Sequence, residues 1–152
     1  MSDLMQPQDG KTFIATYGSL RRGMQNFRVN ANGNGEYVGT GKTLDNINLY
    51  RYSGCYFPSV SLKHDSNSKQ VVVDVFEAPE GETGLEGSYD MLEGYPSFYN
   101  RTQIVVELDN GQQLLAWIYH IDNEQNELIE SGDWCEHNVP NYYADLKATV
   151  SE

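Results

Sequence analysis

The segment KTFIATYGSLRRG occupies residues 11–23 and joins a β-rich run to a polar, glycine-containing turn. Its β-branched and aromatic residues predict a strand over Thr12–Tyr17. Gly18 then permits a bend of the backbone, and the hydroxyl of Ser19 adds a hydrogen-bond donor. A loop that leaves a strand end can turn successive N–H groups inward, where they bind a carboxylate or a developing oxyanion. The same residues also suit an ordinary β-turn, so this segment alone leaves both interpretations open.

A second distinctive segment, LEGYPSFYNR, occupies residues 92–101 and ends a stretch with helical spacing. Apolar residues recur at i, i+4 and i+7, as on one face of an amphipathic helix: Leu85, Tyr89 and Leu92. Ser88 and Asp90 fall on the other face, where we expect them to point outward. Gly94 is a typical helix terminator, and Pro96 prevents the helix from continuing. The sequence therefore predicts a short helix that ends within this segment.

Glu93 lies at the end of this helix, between Leu92 and Tyr95, with Phe98 and Tyr99 close behind. A carboxylate packed among apolar and aromatic side chains loses hydration, and this desolvation raises its pKa towards the range of a general base. Glu93 is therefore a candidate catalytic residue. A solvated carboxylate at a helix end is the alternative interpretation.

The rest of the chain is rich in strand patterns. Strand candidates are Glu36–Thr43, INLYRY at residues 47–52, YFPSVSL at 56–62, SKQVVVDVFEAP at 68–79, and a hairpin over 99–120 with the turn DNG. Residues 121–140 are expected to be a loop region and residues 141–150 a last helix. About six strands and one or two short helices predict an α+β domain with a curled, mainly antiparallel, barrel-like sheet. A chain of 152 residues is the size of one domain, so we expect a flexible N-terminal tail over 1–10 and a single domain over 11–152.

The charge is strongly acidic, with a formal net value of −12. Such a chain repels phosphate backbones and anionic lipid surfaces, so we expect no nucleic-acid or membrane partner. A local basic spot formed by Arg21, Arg22 and Arg28 could still suit a small anion, although we expect the first two to be solvated. The two cysteines, Cys55 and Cys135, lack the spacing of a disulfide framework or a metal site and are expected to be packing thiols. We therefore expect no metal, and we expect a cytoplasmic protein because the N-terminus has no apolar run.

The two segments, in this order and about 75 residues apart, resemble the signature segments of the γ-glutamylcyclotransferase-like family. The similarity extends over most of the chain, through the strand VVVDVFEA, the hairpin ending near AWIY and a late SGDW. The resemblance implies a six-stranded barrel-like sheet with short flanking helices and a ligand cavity at its mouth. Family members release the partner of a γ-glutamyl group by cyclising the glutamyl moiety to 5-oxoproline, without a cofactor. The spacing of LEGYPSFYNR is similar to that of the γ-glutamylamine cyclotransferase branch.

The resemblance also implies a role for individual residues. Glu93 matches the catalytic acid/base of the family, and Tyr99 matches an active-site tyrosine. The substrate-binding loop of the family matches four consecutive residues: Tyr17, Gly18, Ser19 and Leu20. We further expect Arg101 to pair with a carboxylate that holds the Glu93 segment in place.

Two other classes of function are compatible with the sequence. One is a non-catalytic module that uses the same cavity to hold a small anionic ligand. The other is a protein-interaction domain with an exposed apolar patch, since 12% of the residues are aromatic. Fold alone does not decide between an enzyme and a binding module, and the sequence leaves the oligomeric state open.

Overall fold

The structure is a computed structural model that describes residues 4–18, 20–21, 24, 30, 33–51, 58–62, 68–95, 97–121, 127–138 and 142. Five residues of the sequence argument lie outside this part of the chain: Ser19, Arg22, Arg28, Cys55 and Pro96. All but one residue of the helix expected over 141–150 also lies outside it.

Eight strands and three short helical segments make up the described structure. The strands are β1 (Lys11–Thr16), β2 (Glu36–Thr43), β3 (Asn48–Arg51), β4 (Pro58–Ser61), β5 (Val72–Pro79), β6 (Asn100–Leu108), β7 (Gln113–His120) and β8 (Glu127–Leu128). A π-helical turn (Leu85–Tyr89) continues into α1 (Asp90–Glu93), and α2 spans Trp134–Asn138. None of the described helices is long and apolar enough to cross a membrane.

Five of these strands close into a barrel in the order β1-β5-β2-β6-β7. All neighbours in the barrel are antiparallel except β1 and β7, whose parallel pairing closes it. The expected α+β class with a mainly antiparallel, barrel-like sheet is therefore confirmed. The predicted hairpin is the β6–β7 pair, which runs from Asn100 opposite His120 to Glu107 opposite Gln113.

The barrel has five strands rather than the expected six, because three strands form a separate sheet in the order β4-β3-β8. Pro58 opens the edge strand β4, and proline suits an edge because it has no N–H to donate. The region 121–140, expected to be a loop, contains both β8 and α2. These elements are too short to show a clear periodicity in the sequence.

Successive side chains of the barrel strands point alternately into and out of the barrel, so the apolar residues form two clusters. The larger cluster fills the barrel and includes Phe13, Ala15, Val73, Val75, Val106, Leu108, Leu114, Ala116 and Ile118. The smaller cluster lies between the barrel wall and the helical segment and comprises Ile14, Leu20, Ala78, Leu85, Tyr89, Tyr99 and Tyr119. Cys135 packs within the larger cluster, as expected of a packing thiol, and burial raises its pKa to about 11.

The helical segment differs from its sequence pattern in register. Leu85 and Tyr89 are buried as expected, and Gly94 ends the helix with a φ of 66°. However, Leu92 is 42% exposed and Asp90 is buried, which reverses the expected orientation of both. The π-helical turn before α1 has i→i+5 rather than i→i+4 hydrogen bonds, so the register of the buried face changes along the segment. Position 90, rather than position 92, therefore faces the barrel.

Arg21 is also placed differently from its expected solvated position, since it is 0% exposed. Its Nη1 donates to Oδ1 of Asp133 at 3.0 Å, and its Nε lies 3.5 Å from Oδ2 of Asp74. The guanidinium carbon is 5.4 Å from the centroid of the Tyr142 ring. Asp74 comes from the middle of β5 and Asp133 from a position 112 residues away in the chain, so no local pattern could reveal the contact. Arg21 thus ties the loop after β1 to the barrel and to the start of α2.

We expect Arg21→Met to lower the free energy of unfolding by about 3–5 kcal/mol, because Asp74 and Asp133 would stay buried without their cation. Urea denaturation followed by circular dichroism measures this loss. Lys42→Met removes an exposed cation of β2 and should have little effect. Equal midpoints for the two variants would contradict a stabilising role for the buried pair.

Candidate active site

A cavity of about 240 Å³ opens between the end of β1 and the helical segment. Its described lining consists of Ala15, Thr16, Tyr17, Gly18, Leu20, Pro58, Leu92, Glu93, Phe98, Tyr99 and Tyr119. The volume lies below the range of pockets for drug-sized ligands, which suits a small metabolite or one moiety of a larger one.

The cavity brings together five of the six residues singled out from the sequence: Tyr17, Gly18, Leu20, Glu93 and Tyr99. The sixth, Ser19, lies outside the described residues. The two sequence segments that suggested a site therefore meet in one place. Their meeting follows from the closure of the barrel, because β1 ends beside the end of its parallel neighbour β7, and β7 ends opposite the start of β6.

The loop after β1 is a tight turn packed against the edge strand β4. The N–H of Arg21 donates to the carbonyl of Gly18 at 3.0 Å, which closes a four-residue turn. A Cβ at position 18 would lie 2.5 Å from Cγ of Pro58, so the turn can approach β4 this closely only with glycine. Gly18 therefore has a packing reason in addition to the bend expected from the sequence.

Two buried tyrosines form one wall of the cavity and are anchored by their hydroxyl groups. The hydroxyl of Tyr17 donates to the carbonyl of Tyr119 at 2.7 Å, and that of Tyr99 donates to the carbonyl of Pro58. Desolvation raises the pKa of Tyr17 well above its ordinary value, and the nearby Tyr99 and Glu93 raise it further. The phenol of Tyr17 therefore stays neutral beside the carboxyl group.

Glu93 lies at the C-terminal end of α1 and is half-buried in the cavity wall. Desolvation raises its pKa from 4.5 to about 7. This value lies near neutral pH, where a carboxyl group can both accept and return a proton. The cause is the one expected from the sequence, since apolar and aromatic side chains surround the carboxyl group.

The helix that carries Glu93 is fixed to the barrel by an ion pair. Nε and Nη2 of Arg101, on β6, donate to the two oxygens of Asp90 at 2.9 and 3.2 Å. The guanidinium carbon lies 4.4 Å from the ring centroid of Tyr95 and 4.5 Å from that of Trp117. The hydroxyl of Tyr119 also donates to Asp90, at 2.6 Å. Arg101 was expected to pair with a carboxylate and so to hold the Glu93 segment in place. The pair with Asp90 confirms this expectation.

A second link joins the helical segment to the loop after β1 through Asn30. Its Nδ2 donates to the carbonyl of Leu20 at 2.9 Å, while its Oδ1 accepts the hydroxyl of Tyr89 at 2.7 Å. Asn30 is buried, so both bonds lie out of solvent. Asn30 therefore connects the turn after β1 to the helical segment by buried hydrogen bonds.

Sequence reasoning missed several of these residues, notably Tyr119, Asp90, Pro58 and Asn30. A signal was present for Tyr119, because alternation along β7 sets it on the opposite face from the barrel core residues Ala116 and Ile118. The other three depend on long-range contacts. Among the described residues, no cluster of three or more His, Cys, Asp and Glu side chains could hold a metal ion.

Known sequences match most of the length of the chain. A sequence model of the family described as γ-glutamyl cyclotransferase, AIG2-like, matches residues 14–136. A protein of Methanocaldococcus jannaschii that carries the provisional name γ-glutamylcyclotransferase is 29% identical over 125 residues, which cover 82% of this chain and 97% of the relative.

Solved structures share the fold at lower identity. The crystal structure of an AIG2-like protein of mouse superposes with a TM-score of 0.65 at 23% identity, covering 75% of this chain and 80% of the mouse chain. A structure named γ-glutamyl cyclotransferase gives a TM-score of 0.56 at 14% identity and covers 91% of this chain and 87% of its own.

The fold and the cavity thus define a γ-glutamylcyclotransferase-like enzyme. The chain belongs to the AIG2-like γ-glutamyl cyclotransferase family, because the match covers most of its length. The expected resemblance is confirmed at the level of family and fold, and a cyclotransferase-type activity follows from it.

The raised pKa of Glu93 makes stability depend on pH. Between pH 4.5 and about 7 the unfolded chain releases this proton while the folded protein retains it. The free energy of unfolding therefore falls as pH rises through this window, by at most about 3 kcal/mol. We expect Glu93→Gln to remove this loss, so that the variant gains stability relative to the wild type at about pH 8 and gains none at about pH 4.

Chemical denaturation at both pH values checks this expectation. Glu86→Gln is the matched control, because Glu86 is an exposed carboxylate of the same helical segment. Each variant is compared with the wild type by its free energy of unfolding at the two pH values. If Glu86→Gln gained as much stability at about pH 8 as Glu93→Gln, burial of Glu93 would not explain the pH dependence.

Proposed function

We propose that the protein releases an amine from a γ-glutamyl amine or amide by cyclising the glutamyl group to 5-oxoproline, with Glu93 as general acid and base. One observation carries the proposal: a carboxyl group with a pKa of about 7 lines the same small cavity as the turn after β1. Membership of the AIG2-like family supports it.

The first step forms the new ring. The α-amine of the glutamyl group attacks its own γ-carbonyl carbon, so the nucleophile is already tethered and little entropy is lost in bringing the groups together. An α-amine with a pKa of about 8 is mostly protonated at neutral pH and needs a base. In the proposal, the protonated amine first releases one proton to solvent, and the carboxylate of Glu93 accepts a second proton from the nitrogen as the new C–N bond forms. The γ-carbonyl oxygen becomes an oxyanion in the tetrahedral intermediate.

The second step breaks the original amide bond. The oxyanion re-forms the carbonyl, Glu93 returns its proton to the departing nitrogen, and the C–N bond to the leaving amine breaks. The products are 5-oxoproline and a free amine, and the atoms balance without water or a cofactor. The same carboxyl group acts as a base and then as an acid, for which a pKa near neutrality is suitable.

The turn after β1 supplies the electrostatic part of the proposal. Backbone N–H groups from Gly18 to Leu20, with the hydroxyl of Ser19, would bind the oxyanion or the substrate carboxylate. Tyr17 and Tyr99 already donate their hydroxyl protons to carbonyl groups of the protein. The lone pairs of these phenolic oxygens suit a donor such as the α-amine of the glutamyl group.

We expect Glu93→Gln to lower kcat by about 10²- to 10⁴-fold, the usual contribution of general acid–base catalysis, while substrate binding persists. The assay supplies a panel of γ-glutamyl amines and dipeptides and detects 5-oxoproline by mass spectrometry. Glu86→Gln again serves as the control and should keep kcat near that of the wild type. Undiminished kcat in the purified Glu93 variant would contradict the assigned role.

The dependence of the rate on pH gives an independent check. Because the base form of Glu93 is required, kcat/KM of the wild type should rise with pH through about 7, the raised pKa of this carboxyl group. The residual activity of Glu93→Gln should lack this rise. If the wild type formed no product from any substrate, yet the substrates raised its melting temperature, a binding module would be the better interpretation.

A further inference from the structure

Three large apolar side chains of the segment around Glu93 are exposed rather than packed in a core, and two of them line the cavity. Met91 is 82% exposed, Leu92 is 42% exposed and Phe98 is 44% exposed. Leu92 and Phe98 also line the cavity, whereas Met91 does not belong to its lining. The two lining residues therefore form an apolar rim that is continuous with the site and open to solvent.

The rim is held in place by the surrounding structure. The ring of Phe98 packs edge-on against that of Tyr99, with centroids 5.1 Å apart. The N–H of Phe98 donates to the carbonyl of Gly94 at 2.7 Å, across the turn that ends α1. Leu92 belongs to α1 itself, which the Arg101–Asp90 ion pair fixes to the barrel. Both side chains are thus presented by anchored backbone.

The rim lies next to Glu93, the proposed proton donor. A general acid must lie within hydrogen-bond reach of the nitrogen that it protonates, so the leaving group lies beside Glu93 during the second step. Leu92 precedes Glu93 in α1, and Phe98 follows it after the helix-ending turn. A substituent on the leaving nitrogen would therefore extend from Glu93 towards these two side chains.

Building on the proposed function, we propose that Leu92 and Phe98 form a subsite for the substituent of the leaving amine, and that this subsite selects uncharged alkyl or aryl amines. Contact with the rim removes apolar surface of both partners from water, which favours longer apolar chains. An anionic substituent would instead approach the carboxyl group of Glu93. Of the lining residues that the structure describes, none is a Lys or Arg that could offset this repulsion.

The test compares γ-glutamyl derivatives of ethylamine, butylamine and hexylamine with γ-glutamylglycine, by release of 5-oxoproline. We expect kcat/KM of the wild type to rise about two- to fourfold for each methylene that reaches the rim, the ratio given by burial of one CH₂ group. γ-Glutamylglycine should fall below the ethylamine derivative. An unchanged kcat/KM along the alkyl series, or a preference for the glycine derivative, would overturn the proposal.

Variants test whether Leu92 and Phe98 cause the preference for longer alkyl chains. Phe98→Ala and Leu92→Ala should each lower the ratio of kcat/KM between the hexylamine and ethylamine derivatives, by about tenfold for Phe98. Met91→Ala, in the same helix but outside the cavity lining, should keep the wild-type ratio. Because Phe98 also contacts Tyr99, a loss that is equal for all substrates would show a structural role and overturn the subsite. Absence of product from every substrate with the wild type would overturn the proposed function itself, and the subsite with it.

Discussion

The ion pair between Arg101 and Asp90 is the contact on which the site depends most. It joins β6 to the first residue of α1, and it lies between the rings of Tyr95 and Trp117. A bidentate pair of this kind fixes orientation as well as distance. Glu93 follows Asp90 by less than one helical turn, so the pair determines how far the carboxyl group enters the cavity. Desolvation at that depth is what raises its pKa to about 7.

The opposite wall of the cavity is fixed by a different set of buried polar groups. Arg21, at the end of the turn after β1, binds Asp133 at 3.0 Å and lies beside Asp74. Asn30 then connects Leu20 to Tyr89, and so connects the turn to the helical segment. Buried charges and amides are costly unless each is paired, which makes such a network sensitive to the exact placement of its members. The geometry of the site therefore depends on residues that do not line it.

The residues that line the cavity suit the chemistry proposed for the site. An intramolecular cyclisation already holds its nucleophile and its electrophile together, so the protein has little to contribute in bringing them into contact. What it can contribute is a proton acceptor of suitable pKa and a dry, shaped surface around it. In the proposed reaction, Glu93 is the proton acceptor. Tyr17, Tyr99 and Tyr119 supply much of the surface around it, and their hydroxyl groups are already bonded within the protein.

Local sequence patterns determined most of the strands, and the resemblance of two segments to a known family indicated part of the candidate site. β2 has the predicted bounds, β1 differs by one residue at each end, and the β6–β7 hairpin forms around its turn signal. These features depend on alternation and turn residues, which act between near neighbours. The five described candidate residues were indicated by the resemblance of their two segments to one family, and the barrel brings them together in one cavity.

Only the tertiary structure decided which polar residues are buried and which apolar ones are exposed. Arg21 was expected in solvent and Asp90 on the outer face, yet both are buried, while Leu92 is partly exposed. A π-helical turn shifted the register of the helical face, and the partners of Arg21 come from distant parts of the chain. The barrel also closed with five strands, since β3, β4 and β8 found partners in one another. Contacts of this kind form between residues that are far apart in the chain. They therefore produce no periodic pattern in the amino-acid sequence.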